Sequence, residues 1–236
     1  MKINKFVCIS LFFALAFSGY CKANYQYVSK RPAPENRLFR SPAVEQEIER
    51  VSSLLTNPKL KWMFENCFPN TLDTTVHFRT DSLGNPDTYV YTGDIPAMWL
   101  RDSGAQVWPY VPLSVKDPTL KEMIEGLIRR QFKLINIDPY ANAFNDGPTG
   151  AGEDVNYPGN NQDPWVFERK WEIDSHCYPI RLAYEYWKTT GDDSIFDQEW
   201  LKAVKNILAT LKTQQRKDGP GDYIFLRVTD RQLDTK

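Results

Sequence analysis

A chain of 236 residues, 42% hydrophobic and 25% charged, can bury a sizeable core and is not the composition of a disordered protein. Its formal net charge of −1 excludes the basic footprint expected of a partner for nucleic acid or for an anionic membrane surface. The outlying feature is an aromatic content of 14%, with seven Trp and twelve Tyr, residues that either fill a core or stack on the apolar faces of sugars.

In chain order, Lys2 and Lys5 precede an apolar run over 6–17 that is short for a bilayer span and has the length of a signal-peptide core. Residues 1–23 are therefore expected to be a leader cleaved after Ala23, with Gly19 as an alternative point, and the protein to be exported to a periplasm or to the exterior without stable membrane insertion. Cys21 would permit a lipid anchor, but the bulky Tyr20 before it fits that processing poorly. The segment 24–40 is polar and proline-marked, as a linker or an N-terminal arm would be. After such cleavage Cys67 and Cys177 remain, and their pairing is left open. No CxxC or HExxH occurs, and His77 and His176 stand far apart, so no metal or other cofactor is expected.

Ser41-Pro42 supplies an N-cap and a first-turn proline for a helix with Val44, Ile48, Val51 and Leu55 on one stripe. A short helix over 59–68 follows Asn57-Pro58. Two runs, 74–79 and 88–92, bracket the polar turn 81–85 and predict a hairpin. Next comes GDIPAMWLRDS, residues 93–103, which sets an adjacent Arg101 and Asp102 behind Trp99; charges among such apolar neighbours suit a pocket for a polar, uncharged ligand or a buried ion pair. Asp117-Pro118 opens the longest helix, 119–136, with Met123, Leu127, Ile128, Phe132 and Ile135 at helical spacing.

Between 138 and 173 lies a Gly-, Asn-, Asp- and Pro-rich segment that periodicity does not explain, and Trp165, Phe167 and Trp171 at its end argue for an ordered loop carrying part of a site. It feeds WEIDSHCYP, 171–179, in which Glu172, Asp174 and His176 alternate with Ile173 and Ser175. An extended backbone would send these three side chains to one face, while Asp174 or Ser175 could equally cap the next helix. Helices are predicted from about 175 to 190 and from 194 to 215.

The stretches TGDIPAMWLRDS and GEDVNYPGNNQDPWVFERKWEIDSHCYP, together with the alternating helices, resemble the glycoside hydrolase family 125 exo-α-1,6-mannosidases from about Arg40 onward. The resemblance implies a mainly α fold, the (α/α)6 toroid, and a metal-independent hydrolase that releases terminal α-1,6-linked mannose with inversion from mannans or N-glycan fragments. It also implies that Arg101 and Asp102 hold hydroxyls of the terminal mannose, that Trp99 braces the pair or stacks on the ring, and that Asp94, Glu172, Asp174 and His176 line the same pocket. On that resemblance residues 41–236 are expected to be the N-terminal half of such a catalytic domain, a truncated toroid of five or six helices where a dozen are needed. The general acid and base are then expected beyond Lys236, leaving the catalytic residues unassigned, with Asp174 as the candidate acid inside this chain. The expectation is half a sugar pocket with little hydrolysis; the alternative is a secreted mannoside-binding or non-catalytic remnant.

Overall fold

The computed structural model describes residues 27–152, 163–219 and 221–225, so the segment 1–23, expected to be a leader, and the middle of the Gly- and Asn-rich loop lie outside the described residues. Seven α-helices and five short strands are seen among them: α1 Pro42–Leu54, α2 Pro58–Cys67, α3 Asn70–Thr74, β1 Val76–Thr80, β2 Pro86–Val90, β3 Met98–Trp99, α4 Leu100–Val107, α5 Pro118–Ile137, β4 Ala143–Phe144, β5 Val166–Glu168, α6 Ile173–Thr190 and α7 Gln198–Gln214. The architecture is thus mainly α.

Three helices begin at the predicted caps. The side chains of Ser41, Asn57 and Asp117 accept first-turn amide N–H groups of α1, α2 and α5, each followed by a proline whose missing N–H costs nothing there. Helix α7 starts four residues later than the periodicity predicts, because Asp197 accepts the N–H of Trp200 and so sets the first turn. Four helical pieces escape the periodicity reading, among them α3 and a 3-10 turn at Pro34–Asn36. Helix α4 is short and mixed in polarity, and the 3-10 segment Trp108–Lys116 carries prolines at 109 and 112 that read as loop.

Strands β1 and β2 form the predicted hairpin, antiparallel with Val76 opposite Val90 and Thr80 opposite Pro86. Its turn is closed by Asp81, whose Oδ1 accepts from the N–H groups of Leu83 and Asn85. A second sheet has the antiparallel order β3-β4-β5 and covers a small apolar cluster of Ala97, Ala143 and Phe167. The arm before α1 is strapped down by Arg31, whose Nε lies 2.8 Å from Asp73 and whose Nη2 lies 2.6 Å from Glu45. Cys67 and Cys177 are both exposed and unpaired. No described helix is long and apolar enough to cross a membrane.

Helix α5 is the centre of the core. Eleven of its 20 residues are buried, among them all five of the stripe from Met123 to Ile135. It packs against β2, α4, α6, α7 and the 3-10 segment. Strand β2 approaches so closely that a Cβ on Gly126 would sit 2.7 Å from Thr88 Oγ1 and 2.8 Å from the Asp87 amide nitrogen. Thr88 Oγ1 meanwhile donates to the Met123 carbonyl at 2.7 Å. A glycine in mid-helix ordinarily weakens it by about 1 kcal/mol relative to Ala, yet Gly126→Ala is expected to destabilise the fold by about 1–3 kcal/mol because backbone must move. Urea unfolding midpoints of the two proteins check this; an unchanged or higher midpoint would contradict it.

Candidate functional site

The chain turns sharply after β2, and Leu100 N then donates to the Asn142 carbonyl at 3.0 Å, which starts α4 against strand β4. Arg101 and Asp102 therefore fall in the first turn of α4. Gln131 of α5, fully buried, fixes that turn from below by donating to the Leu100 carbonyl at 3.1 Å and to Ser103 Oγ at 3.0 Å. Helix α6 begins beside it, with Glu172 as its N-cap residue and Asp174 in its first turn.

Neither reading left open over 172–176 holds, since Glu172, with no side-chain cap hydrogen bond, takes the N-cap position rather than Asp174 or Ser175. Helical backbone starts at Ile173, so alternation does not put Glu172, Asp174 and His176 on one face. What brings the acids together is Arg101. Its Nη1 donates to Glu172 Oε2 and to Asp174 Oδ2, both at 3.1 Å, and its Nη2 lies 3.1 Å from Asp102 Oδ2. Lys170, which the sequence did not single out, adds an ion pair of 3.0 Å to Glu172 Oε1.

A cation in the first turn faces the positive end of the helix dipole, and carboxylates there are favoured. Three acids around one arginine at two neighbouring helix starts resolve that conflict. Burial pushes the Arg101 guanidinium down, but the hydrogen bond to Asp174 and the charges of Asp102, Asp174 and Glu172 outweigh it and hold the group above its ordinary value. The side chains are 22–38% exposed, so the cluster is open to solvent on one side and each pair adds little stability. Its consequence is geometric: donors and acceptors are held at fixed, partly exposed positions.

Hydrogen-bonding capacity is left over here. Of nine buried side-chain polar atoms without a hydrogen-bond partner among the described residues, five belong to this region: Asp102 Oδ2, Trp171 Nε1, Asp174 Oδ1, Ser175 Oγ and His176 Nδ1. The Asp102 atom faces Arg101 as an ion pair without hydrogen-bond alignment. Buried polar atoms are ordinarily paired, so capacity for further hydrogen bonds is concentrated in this region.

The other predicted residues take different positions. Trp99 is half-buried and packs edge-to-face on Phe167 of β5 at 5.7 Å, bracing the small sheet. Asp94 is exposed on the turn before β3, and none of the cluster's ion pairs reaches it. His176 lies beneath the cluster, 1% exposed, with Nε2 at 2.6 Å from the Pro139 carbonyl. Tyr223 holds the segment before α6, its hydroxyl accepting from Trp171 N at 2.6 Å while its ring stacks on Tyr140 at 4.7 Å. Among the described residues no group of three or more His, Cys, Asp or Glu is arranged to hold a metal ion.

Residues 57–236 match the family model described as metal-independent alpha-mannosidase (GH125). The chain is 42% identical over 221 residues to the "Meiotically up-regulated gene 157 protein" of Schizosaccharomyces pombe, covering 87% of this chain and 43% of that protein. It is also similar to a Streptococcus pneumoniae metal-independent alpha mannosidase solved in a non-productive substrate complex with alpha-1,6-mannobiose, with a TM-score of 0.72 and 40% identity over 82% of this chain and 44% of the other. The chain thus spans under half the length of both relatives.

His176 yields a pH prediction. A carbonyl can only accept, so Nε2 carries the proton, and protonation would charge Nδ1, which is buried without a partner. Burial lowers the ring's pKa, opposed by the bond to Pro139. Because the folded value lies below the unfolded one, this stabilisation is complete above about pH 6.5 and is lost as pH falls through the folded value. Unfolding midpoints measured from about pH 7.5 to 5 should fall for the wild type and flatten for His176→Gln; parallel curves would exclude His176 as the cause.

Proposed function

The chain belongs to the metal-independent α-mannosidase family (GH125), and on that premise we propose that it supplies one wall of the pocket with which a longer α-mannosidase grips and removes a terminal α-1,6-linked mannose. The observation that carries this reading is Arg101, fixed by Asp102, Glu172 and Asp174 at the shared start of α4 and α6, with unmet hydrogen-bonding capacity around it. The arginine presents N–H donors to sugar hydroxyls and the acids present acceptors, an arrangement for a neutral, polyhydroxylated ligand. Trp99, His176 and Tyr223 act from behind as supports, and Asp94 stands at the rim.

An inverting glycosidase needs carboxyl groups roughly 6.5–9.5 Å apart, so that water fits between base and sugar. The Glu172 and Asp174 oxygens both lie 3.1 Å from the same nitrogen, hence within twice that distance of each other. That is too close for an acid and base pair with water between them, and the two are read as grips on sugar hydroxyls. Helices α4 to α7 are read as hairpins of an (α/α)6 toroid, and further hairpins would cover Leu201 and Leu208 of α7, which are 37% and 61% exposed. Mannans and N-glycan fragments are the proposed substrates, met outside the cell if residues 1–23 act as a leader.

Arg101→Ala removes the donors and leaves three acids facing one another. A hydrogen bond to a charged group contributes about 1.5–3 kcal/mol, so affinity for α-1,6-mannobiose should fall about 10- to 100-fold, with Arg101→Lys recovering only part because it cannot bridge Glu172, Asp174 and Asp102 together. Calorimetric titration of wild type and variants is the check. Equal affinity in all three would remove Arg101 from the pocket.

A further inference from the structure

A cavity of about 470 Å³ opens between the turn of the β1–β2 hairpin, the middle of α5 and the start of α7. It shares no residue with the Arg101 cluster. Its volume falls within the roughly 300–1,000 Å³ of small-molecule sites. Phe132 and Ile195, 2% and 1% exposed, contribute apolar lining. Trp200 forms a half-buried wall, its ring 4.9 Å from that of Phe196, and Leu83, 84% exposed, stands at the mouth.

The charges around this cavity are already committed. Arg129 donates from Nε to Glu125 and from Nη1 to Asp197, both at 2.8 Å, and from Nη2 to the Ser194 carbonyl at 3.3 Å. Arg130, 3% exposed, donates from Nε to Asp87 at 2.6 Å and sets Nη1 3.3 Å from Asp146. The Asp81 carboxylate is spent on the N–H groups of its own turn. The Lys133 ammonium sits 4.5 Å over the Trp165 ring.

An anionic ligand would therefore meet arginines already ion-paired to carboxylates, with only Arg130 Nη1 lacking a hydrogen bond, and the four carboxylates of Asp81, Asp87, Asp197 and Glu199. A wholly apolar one would strip water from these ions at a cost nothing repays. A ligand with one apolar face and many neutral hydroxyls suits both halves of the lining: the Trp200 ring for the face, and Glu199, Ser82 and Asn85 for hydroxyls.

We propose that this cavity is an ancillary carbohydrate-binding site for a short neutral oligosaccharide, with Trp200 as its stacking platform. It operates independently of the Arg101 pocket and does not require that pocket to be catalytic.

The test is titration of this chain with α-1,6-mannobiose and with isomaltotriose, followed by the indole N–H signals of its tryptophans in NMR. Sugar should shift the Trp200 signal. Leu83→Arg, which fills the mouth without touching the core, should weaken that shift about tenfold or more while leaving the unfolding midpoint unchanged. Trp200→Ala should abolish calorimetric binding at this site, and Trp200→Phe should restore part of it. Arg101→Ala should leave the Trp200 shift intact, so loss of the Arg101 pocket and loss of this one are read separately. A Trp200 signal unmoved by either sugar at millimolar concentration, a shift unaffected by Leu83→Arg, or a shift produced by inorganic phosphate in place of sugar would overturn the proposal.

Discussion

Two adjacent polar side chains in the middle of α5, Arg130 and Gln131, are buried, at 3% and 0% exposure, and a polar group taken out of water must find partners or destabilise the fold. Arg130 finds Asp87 and thereby docks the hairpin on one flank of the helix. Gln131 finds the Leu100 carbonyl and Ser103, and thereby sets the first turn of α4 on the other. Apolar burial supplies the energy that collapses the chain around α5, but it is indifferent to register. The hydrogen bonds these two neighbours do make fix how the hairpin and the site-bearing helix sit, although Arg130 Nη1 and Gln131 Oε1 make none.

The same constraint reaches the long loop. Arg79 and Arg130 both pair with Asp146 near its start, and Lys133 covers Trp165 near its end. Asn145 draws the two ends together by donating to the carbonyls of Ala151 and Pro164. Strands β4 and β5 emerge from those ends beside β3, so the loop delivers Lys170, Trp171 and Glu172 to the start of α6 at a fixed place. The binding chemistry thus depends on ion pairs some distance from it.

At the site, exposure and charge pull in opposite directions. Pairs with side chains 22–38% exposed contribute little to stability, and a lone arginine in a first helical turn is unfavourable. The cluster persists because α4 and α6 pack closely, with Gly104 of α4 against Tyr178 of α6, and carry the charges with them. Rigid helices holding half-exposed donors and acceptors are prepared for a ligand that competes with water for the same hydrogen bonds.

Local rules made part of this legible in the sequence. Ser41-Pro42, Asn57-Pro58 and Asp117-Pro118 mark helix starts because a cap and a first-turn proline act within four residues. The α5 stripe is readable because burial on one face repeats at the helical period, and the motif WLRDS is conspicuous because charges rarely stand among such apolar neighbours. Periodicity does not assign α4, whose buried face of Leu100, Ser103, Gly104 and Val107 carries only two apolar side chains over eight residues and whose start depends on Asn142 and Gln131. Nor could it reveal that Glu172 and Asp174 meet Arg101 from the head of a helix, that His176 points at the Pro139 carbonyl, or that Lys170 joins the cluster. Caps, stripes and charge outliers are contacts between near neighbours and survive as spacing in the chain. The convergence of residues 101 and 174 on one point is set by how α4, α5 and α6 pack, and only the tertiary structure decides that.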